Sequence, residues 1–159
     1  MNKKLFFALI LYFIVVGINA QSHNIGIKYF GLSIHPFGAY NSDLMPLKIG
    51  QNGEIVFNVG LMGSFEKYIW RNFISVKFAQ AFYGDCLLQF AGFSHIGFRF
   101  RIFTIGRHNL NGGIGPTLIY RRNWYNVDGY DDTFAFFRGE RGDFWQWRFL
   151  WYGGEIEYN

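Results

Sequence analysis

The chain has 159 residues, half of them apolar and 22% aromatic, with only 16% charged and a formal net charge of +4. So small a balance, with basic residues spread among aromatics instead of gathered in one stripe, leaves no electrostatic footprint for nucleic acid. Cys86 is the sole cysteine, which excludes an intramolecular disulfide, and the scattered His residues lack the carboxylate spacing of a metal site.

The first element is a leader. Lys3 and Lys4 form a positive start, Leu5 to Val16 is an uninterrupted apolar core, and Gly17-Ile18-Asn19-Ala20 ends on a small residue. This predicts a signal peptide over 1–20, cleaved after Ala20, with 21–159 as one domain. The apolar run is shorter than the ~20 residues of a spanning helix. The residue directly after the cleavage point is Gln21 and not a cysteine, so a lipid anchor is not expected. Removing Lys3 and Lys4 lowers the formal charge to +2.

Six strands follow, each recognised by a period of two. The first, Lys28 to Phe37, places Phe30, Leu32 and Ile34 on one face and Tyr29, Gly31, Ser33 and His35 on the other, until Pro36 ends it. A loop runs from Asn41 to Gly53. In the second strand Ile55, Phe57, Val59 and Leu61 alternate with Val56, Asn58, Gly60 and Met62, and a connection over Glu66 to Arg71 is expected next. Ile74, Val76, Phe78 and Phe82 then oppose Ser75, Lys77, Ala79 and Ala81, and Tyr83-Gly84-Asp85 turns the chain. The fourth strand, Gln89 to Phe103, is the clearest: Ile96, Phe98, Phe100 and Ile102 face away from His95, Gly97, Arg99 and Arg101. After a tight link at Gly106 to Asn109, Leu110, Ile114, Leu118 and Tyr120 oppose Asn111, Gly113, Gly115, Thr117 and Arg121. Arg122 to Asp143 reads as a long loop. Trp145, Trp147, Phe149 and Trp151 alternate with Gln146, Arg148 and Tyr152 in the sixth strand, and Gly153-Gly154 suggests a bulge.

An apolar, aromatic chain without spanning helices has the closed β-barrel as its remaining route through a membrane. Three features favour that reading over a soluble lipid-carrying periplasmic barrel, which also alternates but would turn its bulky face inward and leave Arg99 and Arg101 in water. The small polar face suits a lumen filled by side chains. Long and short connections alternate between the two ends. Tyr68 and Trp70 lie at one rim and Tyr120, Trp124, Tyr125 and Trp145 at the other, as in aromatic girdles. The expected fold is an all-β, antiparallel up-and-down transmembrane barrel. Its six visible strands are fewer than the eight of the smallest single-chain barrels, which reads either as an eight-stranded barrel truncated at its C-terminus, the favoured expectation, or as a sheet that stays open and must find a partner for its edge.

Through the run Gly112-Gly113-Ile114-Gly115-Pro116-Thr117-Leu118-Ile119-Tyr120-Arg121 and the segment Trp151-Tyr152-Gly153-Gly154-Glu155-Ile156-Glu157-Tyr158, the chain resembles the small eight-stranded bacterial outer-membrane barrel proteins. The resemblance implies residence in the outer membrane and contact with its lipid or lipopolysaccharide. Members of the class act as structural anchors, as adhesion or host-interaction proteins, or as lipid A-modifying acyl enzymes.

For catalysis a nucleophile and base must lie within hydrogen-bond reach. Ser33 and His35, two apart on one face, are the closest such pair. Lipid A 3-O-deacylases carry a His-x-Ser-Asn motif; here the order is reversed and the Asn is absent. Ser94 and His95 are adjacent and point to opposite faces. Cys86 reads as an unpaired turn thiol with no His around it. Lys77, Arg99, Arg101 and Arg148 read as lumen-facing, joined by Glu155 and Glu157 if the bulge shifts their phase, in a paired network or else a cationic pocket for an acidic ligand. In the long loop Trp124, Tyr125, Tyr130, Phe134, Phe136 and Phe137 stand among acids, either to contact a macromolecular partner or to fold over the barrel mouth. The leading expectation is a non-enzymatic barrel acting through its external loops, without a cofactor. A lipid A acyl hydrolase or acyltransferase is the alternative.

Overall fold

The computed structural model describes residues 23–71, 73–131 and 136–158; the leader, Asp132 and Phe134 lie outside the described residues. The protein is all-β. Strands β1 (His23–Ile34), β2 (Lys48–Ile49), β3 (Ile55–Trp70), β4 (Ile74–Gly84), β5 (Phe90–Ile105), β6 (His108–Arg122) and β7 (Trp145–Tyr158) form one antiparallel sheet in the order β1-β3-β4-β5-β6-β7. The two-residue β2 pairs with Ile55 and Val56 of β3, beyond the point where β4 stops at Val59. No helix among the described residues is long and apolar enough to cross a membrane.

The sheet is a meander that curls but does not close. Strands β1 and β7 each pair on one side only among the long strands, so closure into a barrel is absent. The curl is nevertheless strong enough that Lys28 of β1 and Glu157 of β7, from the two edge strands, form an ion pair at 2.5 Å.

Its two faces invert the usual order of a globular core. Among the described residues, twelve polar or charged residues are buried against six apolar ones, and the latter are mainly small or medium: Ala79, Ala81, Ala91, Val56 and Met45, with Trp124 the exception. The large side chains point outward. Ile96, Phe98, Phe100 and Ile102 of β5 are all between 43% and 62% exposed, while His95 and Arg99 between them are below 9%. The same parity holds in β3, β4 and β6, as the sequence pattern requires.

Register shifts near the turn end change parity in the last residues of β3, at Tyr68/Trp70, and of β5, at Arg101/Phe103; β1 and β7 change parity further from their turns. In β1 a register shift between Phe30 and Leu32 moves the outward positions from Ile25, Ile27 and Tyr29 to Leu32 and Ile34. Tyr29, expected on the polar face, is therefore 67% exposed on the outer one. Its ring lies over Gly31, where a Cβ would come within 1.9 Å of it, and its hydroxyl donates to the Asn58 carbonyl at 3.0 Å. In β7 the shift falls opposite Pro116, between the pairs Thr117–Leu150 and Gly115–Gly153. Proline has no N–H for the ladder, so β7 accommodates an extra residue at Trp151-Tyr152, just ahead of the expected Gly153-Gly154. This turns Glu155 and Glu157 inward.

Connections differ at the two ends. At one lie residues 35–54, 85–89 and the described parts of 123–144; at the other lie the short links from β3 to β4 and from β5 to β6. Gly106, at φ 60°, supplies the left-handed residue that a two-residue hairpin needs.

Candidate functional site

The inner face carries a charge cluster built by register. Glu66 pairs with Lys77 across β3 and β4, and Lys77 stands opposite Gly97. Arg99 stands opposite Gly113, which stands opposite Glu155. These glycines leave room for long side chains to cross them: a Cβ on Gly113 would lie 2.8 Å from Glu155 Cγ. Arg99 spans the cluster, with Nη1 donating to Glu66 at 2.8 Å and Nη2 lying 2.9 Å from Glu157. Lys77 Nζ donates to Glu155 at 2.8 Å and to Glu157 at 3.0 Å, and Ser75 Oγ donates to Glu66 at 2.5 Å. Arg99 Nε and Glu155 Oε1 face each other at 3.7 Å, close enough for attraction but too long for a hydrogen bond. With Lys28 included, three cations meet three carboxylates, so the cluster is neutral. Buried charge is stable only when paired in this way.

Of the six residues the sequence assigned to an inner charge network, Lys77, Arg99, Glu155 and Glu157 come together. Arg101 and Arg148 do not. Arg101 is half-buried beyond the cluster and forms no ion pair among the described residues, its Nε lacking a partner. Arg148 lies at the far end with its guanidinium 5.2 Å from the Phe136 ring. Glu66 and Lys28 are the members that sequence reading missed. Glu66 is not in a connection, because β3 runs on to Trp70; the signal was present, since Phe65, Lys67 and Ile69 continue the odd-numbered outward parity of Phe57, Val59 and Leu61.

The inner face bounds a cavity of about 670 Å³ lined by Lys28, Lys77, Glu155 and Glu157 of the cluster and by His95 and Thr117 among others. His95 Nδ1 and the Thr117 hydroxyl are 2.7 Å apart. No carboxylate hydrogen-bonds the other imidazole nitrogen among the described residues, so the orienting third group of a catalytic triad is missing.

The second cluster lies at the loop end. Arg121 is held between the rings of Trp124 and Phe137, 3.6 and 3.9 Å from their centroids. Its Nε donates to Gln146 at 2.9 Å and its Nη2 to the Tyr130 hydroxyl at 3.2 Å. Trp124 Nε1 donates to Asp85 at 2.7 Å, and Asp85 also accepts from the Leu87 and Gln89 amides, both at 2.9 Å. Burial holds the Asp85 carboxyl above its ordinary range, against the lowering effect of these donors and of the Arg121 charge. Asn41 and Asp131 exchange hydrogen bonds at 2.9 and 3.0 Å and tie the first loop to the third. The described parts of the 123–144 loop thus fold across the end of the sheet. Trp124, expected as a contact residue, is buried at 7% exposure and serves this closure instead. Tyr125 and Tyr130 are half-buried, and Phe136 alone of the four is well exposed.

Ser33 and His35 line a small cavity of about 180 Å³ beneath that loop, with Asn58, Cys86, Arg121 and Phe137 among its walls. They are not paired as nucleophile and base. Asn58 Nδ2 donates to Ser33 Oγ at 2.5 Å, and His35 Nε2 lies 3.8 Å from Cys86 Sγ. The fold therefore puts a His beside Cys86 where the sequence spacing did not. Burial and the neighbouring Asp85 charge push the Cys86 thiol up, the opposite of activation. No group of His, Cys, Asp and Glu among the described residues could hold a metal ion. No protein-family model matches the chain, and no curated protein or solved structure matches it.

Proposed function

We propose that this chain is a membrane-embedded β-barrel protein of outer-membrane type, without enzymatic activity, that acts as a structural or surface-interaction element through the loops at one end. The observation that carries this reading is the inversion of the two faces, with large apolar side chains exposed across the outer surface and charges paired within. Such an apolar surface far exceeds the patches that soluble monomers tolerate, and it suits hydrocarbon. Aromatic groups at its two margins fit interfacial belts: Phe90, Tyr120 and Phe144 around Trp145 at the loop end, and Trp70 with Phe73 at the turn end. In lipid the free edges of β1 and β7 must be paired, so closure of this seam belongs to the proposal, and the Lys28–Glu157 ion pair across it supports that. The leader-like residues 1–20 would supply export.

The loops hold Asp43, Glu54, Asp85, Asp128, Asp131, Asp132, Glu140 and Asp143 against Lys48, Arg138 and Arg141. That excess of acids disfavours direct contact with the phosphates of lipopolysaccharide and favours a neutral or basic macromolecular surface. A lipid A acyl hydrolase is less well supported, because Ser33 and His35 are engaged with other partners. A soluble lipid carrier is less well supported because its bulky face should be the inner one. Fractionation tests the proposal: the expressed chain is expected in the outer-membrane fraction, released by detergent and migrating differently in gels before and after boiling. Recovery as a soluble protein without detergent would overturn it.

A further inference from the structure

Charge is distributed unevenly along the strand axis. The tight-turn end carries Lys67 on the outer face of β3, Arg71 in the β3–β4 turn and Arg107 in the β5–β6 turn, all exposed. None of the three has an ion-pair partner among the described residues. The sequence from Lys67 to Val76 and from Arg101 to Gly113 contains no acid. At the opposite end acids outnumber bases, as above. Beside the three cations, Ile69, Trp70, Phe73, Phe103 and Ile105 are 43% to 69% exposed, so the basic groups sit at the margin of the apolar surface.

We propose that this turn-end collar binds the headgroups of anionic phospholipid in the leaflet it meets. The inference rests on the membrane reading above and deepens it, by naming the lipid class and the end of the sheet that engages it. Long basic side chains at the edge of an apolar band keep their stems in hydrocarbon and their charges at headgroup level. Indole rings such as Trp70 prefer the same depth. Three unpaired cations without a compensating acid attract an anionic surface, each by at most about fivefold at low salt, and the attraction fades as salt rises. The stagger between the two turns, with Phe100 level with Ile74 and β5 continuing to Ile105, is the offset that tilted strands produce at one membrane surface.

The test uses the full mature chain folded into vesicles, and a K67Q/R71Q/R107Q variant beside it. Flotation with pure phosphatidylcholine vesicles is measured first, and both proteins are expected to float. Boundary-lipid selectivity is then read from spin-labelled phosphatidylglycerol against spin-labelled phosphatidylcholine, in an equal mixture of the two lipids. The expected result is a several-fold preference for phosphatidylglycerol in the natural chain, weakened by salt and abolished in the triple variant, while R138Q/R141Q at the loop end retains it. Flotation without selectivity, or selectivity unchanged in the triple variant, overturns the collar and leaves the membrane reading standing. Failure to float with neutral vesicles overturns both.

Discussion

Glu66 and Asp85 are both buried carboxylates at the ends of the sheet, and their surroundings give them opposite vulnerabilities. Glu66 is held by Arg99 and Ser75. Glu66→Gln leaves the Arg99 guanidinium short of a buried counter-charge and is expected to cost about 3 kcal/mol in urea unfolding of the detergent-folded protein. A loss below about 1 kcal/mol, the range of an exposed pair, would mean that Glu157 alone satisfies Arg99. For Asp85 the folded-state pKa is raised by burial, so the folded protein binds this proton more tightly than the unfolded chain. Its contribution to stability therefore grows as pH falls through the raised value towards the ordinary carboxylate range, and is lost as pH rises. Relative to Asp85→Asn, the natural chain should gain melting temperature on going from pH 7 to pH 4; a relative loss would reverse the assigned sign. Cys86, with its thiol pushed up, should react with iodoacetamide at neutral pH more slowly than a free thiol. A rate faster than the free thiol would reopen the His35–Cys86 pair as a reactive centre.

At the level of elements, the loop end is a tied assembly. The Asn41–Asp131 exchange and the Trp124–Asp85 bond link three loops that are distant in sequence. Asn41→Ala should accelerate protease cleavage within 123–144 while leaving the sheet's circular dichroism unchanged; unchanged cleavage would show that Trp124 and Arg121 hold the loop without the clamp. Little of this assembly could be read from the sequence, because the pairs Asn41–Asp131, Asp85–Trp124 and Arg121–Gln146 form only through long-range folding and no local pattern marks them. The strands were legible wherever large apolar residues recur with one parity, as in β4, β5 and β6. They were misread where a bulge changed phase at Gly31, where one tyrosine changed face, and where charged Glu66 and Lys67 were mistaken for a connection. The inward turn of Glu155 and Glu157 was foreseen as conditional on a bulge, whose cause is the missing N–H of Pro116.

The molecule as a whole is defined by which of its two faces meets water. Its interior holds a neutral cluster of three cations and three carboxylates, and its exterior is the surface left in need of a solvent. The same view requires the seam between β1 and β7 to be closed in lipid, since backbone groups along these edges cannot remain unpaired in hydrocarbon. The most direct test places single labelled cysteines in a Cys86→Ser background at successive positions from Ser94 to Ile102, in protein folded into lipid vesicles, and measures quenching by a lipid-phase and by an aqueous quencher. The account predicts lipid quenching with a period of two, strong at Ile96, Phe98, Phe100 and Ile102 and weak at His95, Gly97, Arg99 and Arg101. Aqueous quenching at the first set, or lipid quenching confined to the second, would contradict it.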